Sequence, residues 1–135
     1  MSTVLLDTHV VQWWSAEPSR AEPDRISAVA AEVLEGASEL AVAAISWFEL
    51  AWLARNERIS VTIPIRSWLQ ELAGELRTVG VTPAIADTAV SLPSSFPGDP
   101  ADRMIYATAI EHGWKLVTKD RGLREHPYPR AVAVW

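Results

Sequence analysis

With 135 residues, 49% of them hydrophobic and 21% charged, the chain has the size and composition of one globular domain, residues 1–135, and not of a disordered protein, which would lack the apolar residues to offset its conformational entropy. The absence of cysteine excludes disulfides and thiolate metal sites, and no segment approaches the roughly 20 apolar residues that a transmembrane helix requires. A net charge of −5 argues against a protein that coats nucleic acid through lysine and arginine, although it does not exclude a nuclease whose carboxylates hold divalent cations.

The first predicted strand is the apolar run at residues 4–6, which ends at Asp7. Because this acidic residue stands where a signal peptide would continue its apolar core, we expect a cytoplasmic protein. A polar loop with two prolines, residues 15–24, then precedes a helix whose apolar residues recur at helical spacing between Ile26 and Leu34.

The second predicted strand is the apolar run at residues 40–45, which follows the turn residue Gly36 and suits burial on both faces. We expect Ser46 to begin the next helix, which ends near Asn56. Ser46 and Glu49 have the S-x-x-E spacing of a capping box, in which the glutamate side chain returns to the start of the helix. The local sequence therefore leaves open whether Glu49 caps this helix or serves a functional site.

Prolines divide the middle of the chain. Pro64 fits the first turn of a helix, a short strand follows at residues 79–82, and Pro83 can open another helix. The loop at residues 92–100 concentrates proline, serine and glycine. The apolar residues on one face of the first of these helices are Trp68, Leu69, Leu72 and Leu76.

The sequence D-P-A-D opens a late helix that ends at Gly113. Asp99 suits the N-cap position, Pro100 the first helical position and Asp102 the third. Asp99 is therefore mainly a cap, whereas a carboxylate at the third position also points towards the expected crevice. We prefer Asp102 as the site residue, although the local sequence alone keeps both carboxylates open.

The last predicted strands contain Leu116 and Val117, followed by Asp120, and the apolar tail at residues 131–134. Strands that alternate with helices at this spacing predict βαβ units, and therefore an α/β fold with a central parallel sheet and helices on both faces. In open sheets of this kind the active crevice lies outside the carboxyl ends of the strands. Asp7 and Asp120 each follow such an end.

Four acids thus occupy related places in the predicted fold: Asp7, Glu49, Asp102 and Asp120. Each lies just after a strand or near the beginning of a helix that follows one, so their convergence is geometrically plausible. Mg²⁺ and Mn²⁺ prefer oxygen ligands, and three or four carboxylates suit a site for phosphodiester chemistry. The pattern indicates a metal-dependent enzyme that acts on phosphodiesters.

The strings LLDTHV, SWFELAWL, DPADRMIYATAIEHG and LVTKD, spread in this order over positions 5 to 120, resemble the signature of the PIN-domain family, and more closely its VapC-type toxins of bacterial toxin–antitoxin pairs. The resemblance implies a three-layer α/β/α sandwich and an endoribonuclease that depends on Mg²⁺ or Mn²⁺. It also implies a cognate antitoxin as partner and, often, a homodimer. The family's four acidic positions correspond to Asp7, Glu49, Asp102 and Asp120, with Thr8 and Thr118 as small polar neighbours.

For such a site we expect Asp7, Asp102 and Asp120 to ligate the metal, which would activate a water molecule for in-line attack on phosphorus. Glu49 lies on a helix, and its role stays open. It could bind a second metal, hold a water molecule or accept the proton of the attacking water.

Other side chains are weaker candidates. Several cationic residues could guide RNA phosphates. They are Arg103, Arg121, Arg124, Arg130 and His126. Arg121 is the best placed of them because it adjoins Asp120. His9 and His112 fall on different helices and suit structural roles. Four tryptophans could stack bases or receive an antitoxin helix, namely Trp13, Trp14, Trp47 and Trp52. Most tryptophans nevertheless suit core or interface packing.

Two other functions deserve comparison. A phosphatase or phosphotransfer domain with carboxylate-bound Mg²⁺ is one alternative, but a haloacid-dehalogenase-like enzyme requires a second aspartate at position 9, where this chain has histidine. A receiver domain requires paired acids after the first strand, and this chain lacks them. The other alternative is a PIN-like interaction module without catalysis, against which the complete set of four acids argues.

Overall fold

A computed structural model describes residues 2–15, 25–126 and 129–135. The strands are β1 Thr3–Leu6, β2 Glu39–Ala43, β3 Arg77–Val79, β4 Lys115–Val117 and β5 Ala133–Val134. The helices are α1 Thr8–Ser15, α2 Ala28–Gly36, α3 Ala44–Arg55, α4 Ile65–Ala73, α5 Pro83–Ser91, α6 Pro100–His112 and α7 Arg121–Arg124. Apart from Ser15, the predicted loop at residues 15–24 lies outside the described residues. No helix in the described ranges is long and apolar enough to cross a membrane.

The five strands form one parallel sheet in the order β3-β2-β1-β4-β5, which confirms the predicted sheet. Strand β1 lies in the middle, with Leu5 opposite Ala41 of β2 on one side and Leu116 of β4 on the other. The chain first builds outwards from β1 through β2 to β3, and then returns to add β4 on the opposite side. The strand order therefore reverses between β1 and β4, which is where ligand crevices form in such sheets.

Apolar residues cover both faces of the sheet, because successive side chains of a strand point in opposite directions. Leu5 packs on one face with buried residues of α5 and α6, whereas Val4 and Leu6 pack on the other face with residues of α1 to α4. Each of these three strand residues is at most 3% exposed. Two helical layers therefore enclose the sheet, and the predicted α/β/α sandwich is confirmed.

Most differences from the sequence prediction concern the ends of elements. The predicted strand at 40–45 ends at Ala43, and α3 begins at Ala44, two residues before Ser46. A short apolar run does not distinguish a buried strand from a buried helix turn, so this boundary was not visible in the sequence. Strand β3, predicted at residues 79–82, begins two residues earlier and ends at Val79. The one-turn helix α7 was not predicted.

Candidate active site

The carboxyl edge of the sheet carries Asp7 and Asp120. Asp7 directly follows β1 and is only 8% exposed, while Asp120 lies three residues after β4 and caps α7 by accepting a hydrogen bond from the Leu123 N–H. The Asp7 N–H donates to the Val117 oxygen at 3.0 Å, which continues the pairing of the two strands beyond the end of β1. Both carboxylates thus lie at the point where the strand order reverses.

One pocket of about 650 Å³ at this edge is lined by all four acids that the sequence singled out. The sheet edge contributes Asp7 and Asp120, α3 contributes Glu49, and the first turn of α6 contributes Asp102. Asp99 lines the same pocket. The fold therefore gathers around one cavity residues that lie up to 113 positions apart in the sequence, from Asp7 to Asp120.

Two threonines hold Asp7 in place. The Thr8 N–H donates to Asp7 Oδ1 at 2.8 Å, and the fully buried Thr118 hydroxyl donates to Asp7 Oδ2 at 2.7 Å. The Thr118 hydroxyl oxygen, Oγ1, also accepts a hydrogen bond from the Asp120 N–H at 3.1 Å. Thr118 consequently links the two acids at the sheet edge and fixes the orientation of the Asp7 carboxylate.

Glu49 is held by a chain of hydroxyl groups. The Thr8 hydroxyl donates to Glu49 Oε1 at 2.6 Å and also lies 2.9 Å from the Ser46 hydroxyl. Because Thr8 has only one hydroxyl proton, Ser46 must donate to Thr8. The predicted Ser46–Glu49 capping box is wrong: α3 begins at Ala44, so Ser46 lies inside the helix and its side chain turns inwards to Thr8.

The start of α6 orients two acids differently. Asp99 is the N-cap, as predicted, and its Oδ1 accepts the N–H groups of Ala101 and Asp102 at 2.8 and 3.3 Å. Asp102 lies in the first turn, where the positive end of the helix dipole stabilises a negative charge. Both acids line the pocket, so the preference for Asp102 as a ligand stays a prediction that rests on the capping role of Asp99.

Three acids of the pocket, Asp7, Glu49 and Asp102, have raised pKa values. Burial raises the pKa of Asp7, although hydrogen bonds from Thr118 and Thr8 oppose that increase. Burial likewise raises the pKa of Glu49. The pKa of Asp102 is raised to about 7, first by burial and then by the negative charges of the other acids. The pocket therefore concentrates negative charge that water does not fully solvate.

These donors fit a hard divalent cation. They are carboxylates, which Mg²⁺ and Mn²⁺ prefer, and a cation would offset the charge that raises the pKa of Asp102. Within the described ranges, no three acidic or histidine side chains are arranged to hold one ion together. In this arrangement an ion would contact some of the carboxylates directly and the others through its own water molecules, which Mg²⁺ readily keeps.

Arg103 does not have the guiding role that the sequence suggested. Its guanidinium donates to five backbone oxygens at 3.0–3.3 Å. These oxygens belong to Ala89, Leu92, Pro93, Phe96 and Pro97. All five N–H donors of the side chain are therefore occupied, and Arg103 clamps the end of α5 and the loop that leads to Asp99.

The other cationic candidates also lie away from the pocket lining. Arg121, the preferred one, is exposed and pairs with Glu125 at 3.0 Å, and Arg130 donates to the Ile110 oxygen at 2.8 Å. His126 lies 3.1 Å from the Ser95 hydroxyl. Arg124 is exposed on α7.

The two remaining histidines lie apart. His9 lines the pocket and stacks on Trp13, whereas His112 stacks on Trp114. Trp114 lines a second pocket with the amino ends of the strands. His9 and His112 thus do not form an acid–base pair.

Sequence reasoning did not single out Phe48 and Lys119, which line the pocket together with the apolar residues Val10 and Leu53. Each adjoins an acid in the sequence, Phe48 before Glu49 and Lys119 before Asp120, and that adjacency was the available signal. Trp13 and Trp52, which the sequence named, also line the pocket. Trp13, Trp14 and Trp47 are partly buried and pack against the core, as predicted for most tryptophans, but Trp52 is 47% exposed.

A family model described as PIN domain matches residues 4–127 of the chain. Among curated proteins, the ribonuclease VapC22 of Mycobacterium tuberculosis (strain ATCC 25618 / H37Rv) is 68% identical over 135 residues, which cover 100% of both chains. The similarity therefore extends over the pocket and both helical layers.

Solved structures share the fold at lower identity. A DNA-bound VapBC from Salmonella typhimurium matches with a TM-score of 0.70 and 19% identity, covering 99% of this chain and 98% of that one. A toxin–antitoxin complex from Klebsiella pneumoniae matches with a TM-score of 0.68 and 19% identity, covering 98% and 96%. VapBC-5 of Mycobacterium tuberculosis matches with a TM-score of 0.60 and 16% identity, covering 99% and 97%. At these identities the likeness concerns the fold.

Proposed function

The chain belongs to the PIN-domain family, and we propose that it is an endoribonuclease that hydrolyses RNA phosphodiester bonds with the help of Mg²⁺ or Mn²⁺. The observation that carries this proposal is the pocket lined by Asp7, Glu49, Asp102 and Asp120 in a chain that is 68% identical to a ribonuclease over its whole length. Carboxylates arranged around one cavity suit a divalent cation, and divalent cations suit phosphodiester hydrolysis.

Asp7, Asp102 and Asp120 are the proposed metal ligands. A bound Mg²⁺ or Mn²⁺ would lower the pKa of the attacking water and stabilise the charge that develops on the phosphate oxygens. Thr118 contributes by fixing Asp7 through its hydroxyl and Asp120 through the backbone. This arrangement orients the carboxylates before the substrate arrives, which avoids a cost of reorganisation during the reaction.

Glu49 is the proposed proton acceptor, or the residue that holds the attacking water. Its Oε1 is engaged by the Thr8 hydroxyl at 2.6 Å, and its carboxylate has a second oxygen, Oε2, that can accept a proton. Burial raises the pKa of Glu49, and a base is more effective when its pKa is closer to the working pH. Ser46 supports this role indirectly, because it orients the Thr8 hydroxyl towards Glu49.

We also propose that the protein is the toxin of a toxin–antitoxin pair and that a cognate antitoxin inhibits it. The structural relatives support this proposal, since they include VapBC proteins and a toxin–antitoxin complex. A homodimer and a cytoplasmic site of action, where RNA substrates are present, complete the proposal.

The test uses the purified protein without any partner. We expect it to cleave RNA with Mg²⁺ or Mn²⁺, to lose activity with EDTA, and to lose it as Asp7→Asn. The matched control is Asp87→Asn, because Asp87 is an exposed aspartate on α5 that does not line the pocket. Cleavage that survives EDTA contradicts the metal mechanism. A protein that binds its partner but cuts no RNA under any of these conditions is instead an interaction module.

A further inference from the structure

Two exposed aromatic rings lie beside the acids. Phe48 is 68% exposed and Trp52 is 47% exposed, and both line the pocket that contains Glu49. Residues four apart share one face of a helix, so the two rings are neighbours on α3. Trp52 lies three residues after Glu49, which is a little less than one helical turn, or about 4.5 Å along the helix axis. The rings therefore extend from the acidic pocket along α3.

An arginine accompanies this aromatic pair. The guanidinium carbon of Arg58 lies 6.0 Å from the centre of the Trp52 ring. The turn after α3 holds it there, because the Arg58 N–H donates to the Leu53 oxygen at 2.9 Å and Glu57 adopts a left-handed conformation with φ 56°. This conformation is unfavourable for a residue with a Cβ. The fold thus maintains a strained turn that keeps a cation beside an exposed ring.

We propose that Phe48 and Trp52 are a stacking platform for unpaired bases of the RNA strand next to the bond that is cut, and that Arg58 contacts a neighbouring phosphate. This inference rests on the proposed ribonuclease function, because it assigns the substrate of the same pocket. Bases inside a duplex are covered by their neighbours, so such a platform selects single-stranded RNA.

The charge pattern around the rings favours a nucleotide over a protein helix. The carboxylates line the same pocket as both rings, and Arg58 lies beside the Trp52 ring. A nucleotide strand offers a flat base for the ring and a phosphate for the guanidinium, and the cation proposed for the pocket receives the next phosphate. Val10, Trp13 and Leu53 add apolar surface to the same pocket. Glu49 and Arg58 nevertheless place charges beside the two rings, which suit a nucleotide better than the apolar face of a protein helix.

A binding experiment tests the platform separately from catalysis. The protein carries Asp7→Asn to prevent cleavage, and fluorescence anisotropy measures its affinity for a labelled single-stranded oligoribonucleotide. We expect Trp52→Ala to weaken binding about tenfold, Phe48→Ala and Arg58→Ala to weaken it less, and Trp52→Phe to retain most of it. Circular dichroism of each variant confirms folding.

The chain offers a matched control at the opposite end of the sheet. There the guanidinium carbon of Arg77 lies 5.3 Å from the ring centre of Trp114, which lines the second pocket. The pair combines the same two residue types as Arg58 and Trp52, but Arg77 also forms an ion pair with Glu39, and the pair does not line the pocket of the four acids. Arg77→Ala is therefore expected to leave RNA affinity unchanged, in contrast to Arg58→Ala.

Cleavage of modified oligonucleotides completes the test. An abasic nucleotide is placed in turn at each position around a mapped cleavage site, and kcat/KM is measured with Mg²⁺. We expect at least one position where the missing base lowers kcat/KM about tenfold for the unmodified protein but changes little for Trp52→Ala, since the platform is then already absent.

The outcomes separate the two proposals. If the protein cuts RNA with Mg²⁺ and Trp52→Ala binds and cuts as the unmodified protein does, the platform is wrong and the ribonuclease stands. Loss of self-association or of antitoxin binding in Trp52→Ala, with unchanged RNA affinity, also overturns the platform and assigns the surface to a protein. If Trp52→Ala weakens RNA binding but the unmodified protein cuts nothing, the platform stands and the metal mechanism fails.

Discussion

The two ends of the sheet hold acidic side chains in opposite ways. At the amino end, Glu39 accepts a hydrogen bond from Arg77 at 3.1 Å, and this pairing lowers the pKa of Glu39. At the carboxyl end, burial raises the pKa values of Asp7, Glu49 and Asp102. Ionisation of the acid at the amino end of the sheet thus favours folding, whereas ionisation of the acids at the carboxyl end opposes it. Acids that oppose folding in this way are expected where charge is gathered for function.

Burial is the first cause of the raised pKa values at the carboxyl end, and the nature of the hydrogen-bond donors adds to the difference between the two ends. At the amino end the main donor to Glu39 is a guanidinium, which neutralises the carboxylate. At the carboxyl end the donors to Asp7 and Glu49 are threonine hydroxyls and a backbone N–H. Neutral donors fix the position of a carboxylate without cancelling its charge, so the pocket keeps both its geometry and its negative field.

The largest expected effect is that of Asp102→Asn. Removing one proposed ligand should lower metal-dependent RNA cleavage by at least about 100-fold. The same change should stabilise the fold at neutral pH. Because the pKa of Asp102 is raised from 3.8 to about 7, its ionisation opposes folding, and wild-type stability falls as pH rises from about 4 through 7.

Urea unfolding at a series of pH values measures this effect. The free energy of unfolding of Asp102→Asn should decline less between about pH 4 and pH 8 than that of the wild type. Asp87→Asn, on the exposed surface of α5, is the control and should follow the wild type. Full cleavage activity in Asp102→Asn, or identical pH profiles, would show that Asp102 is not part of the charged site.

The second prediction concerns Arg103, a charged residue at the carboxyl end that differs from the acids there because all of its N–H donors are hydrogen-bonded. Arg103→Ala leaves five backbone oxygens without their donor and should lower the free energy of unfolding by about 2–4 kcal/mol. Arg124→Ala, an exposed arginine on α7, should change it by less than about 0.5 kcal/mol. Equal effects in urea unfolding would mean that the clamp contributes no stability.

Arg103 also illustrates what the sequence could not predict. As one of several positive residues near the predicted site, it was a candidate for an RNA contact, because sequence position does not reveal which way a side chain turns on a helix. The parallel sheet, its enclosing helices and the N-cap at Asp99 were predictable, since they follow from short apolar runs, helical spacing and a proline at the first helical position.

The interior of the site depended on contacts between distant residues. The pairing of Thr118 with Asp7 spans 111 residues, and that of Thr8 with Glu49 spans 41. Local spacing instead suggested that Ser46 and Glu49 form a capping box, which the start of α3 at Ala44 rules out. The ends of predicted strands pointed to Asp7 and Asp120, and the resemblance to the family supported Glu49 and Asp102. Only the fold shows which neutral groups orient these acids.

The third prediction concerns one of these neutral groups. Thr118→Val keeps the shape of the side chain but removes the donor to Asp7 and the acceptor of the Asp120 N–H. We expect about tenfold slower RNA cleavage, as for other residues that orient metal ligands, and a loss of about 1 kcal/mol in the free energy of unfolding.

Thr108→Val is the matched control for Thr118→Val. Thr108 is also a buried threonine, but its hydroxyl donates to the Met104 oxygen within α6. The Thr108→Val variant should have a lower free energy of unfolding than the wild type, but its folded fraction should cleave RNA at the wild-type rate. If both variants slow cleavage equally when compared at equal folded fraction, the orienting role of Thr118 is contradicted.

The smallest expected effect belongs to Glu39→Gln at the amino end, and it sharpens the comparison through its sign. The pKa of Glu39 is lowered from 4.5 by the hydrogen bonds from Arg77 and Thr3, so its contribution to stability is present above about pH 4.5 and is lost as pH falls through the lowered value. Glu39→Gln should therefore have a slightly lower Tm than the wild type at pH 7, and the same Tm in more acidic solution. Because the pair is exposed, the difference should also shrink in high salt. As pH rises, the wild type should therefore gain stability relative to Glu39→Gln. Relative to Asp102→Asn, the wild type should instead lose stability as pH rises. If both comparisons changed in the same direction, the contrast between the two ends of the sheet would be contradicted.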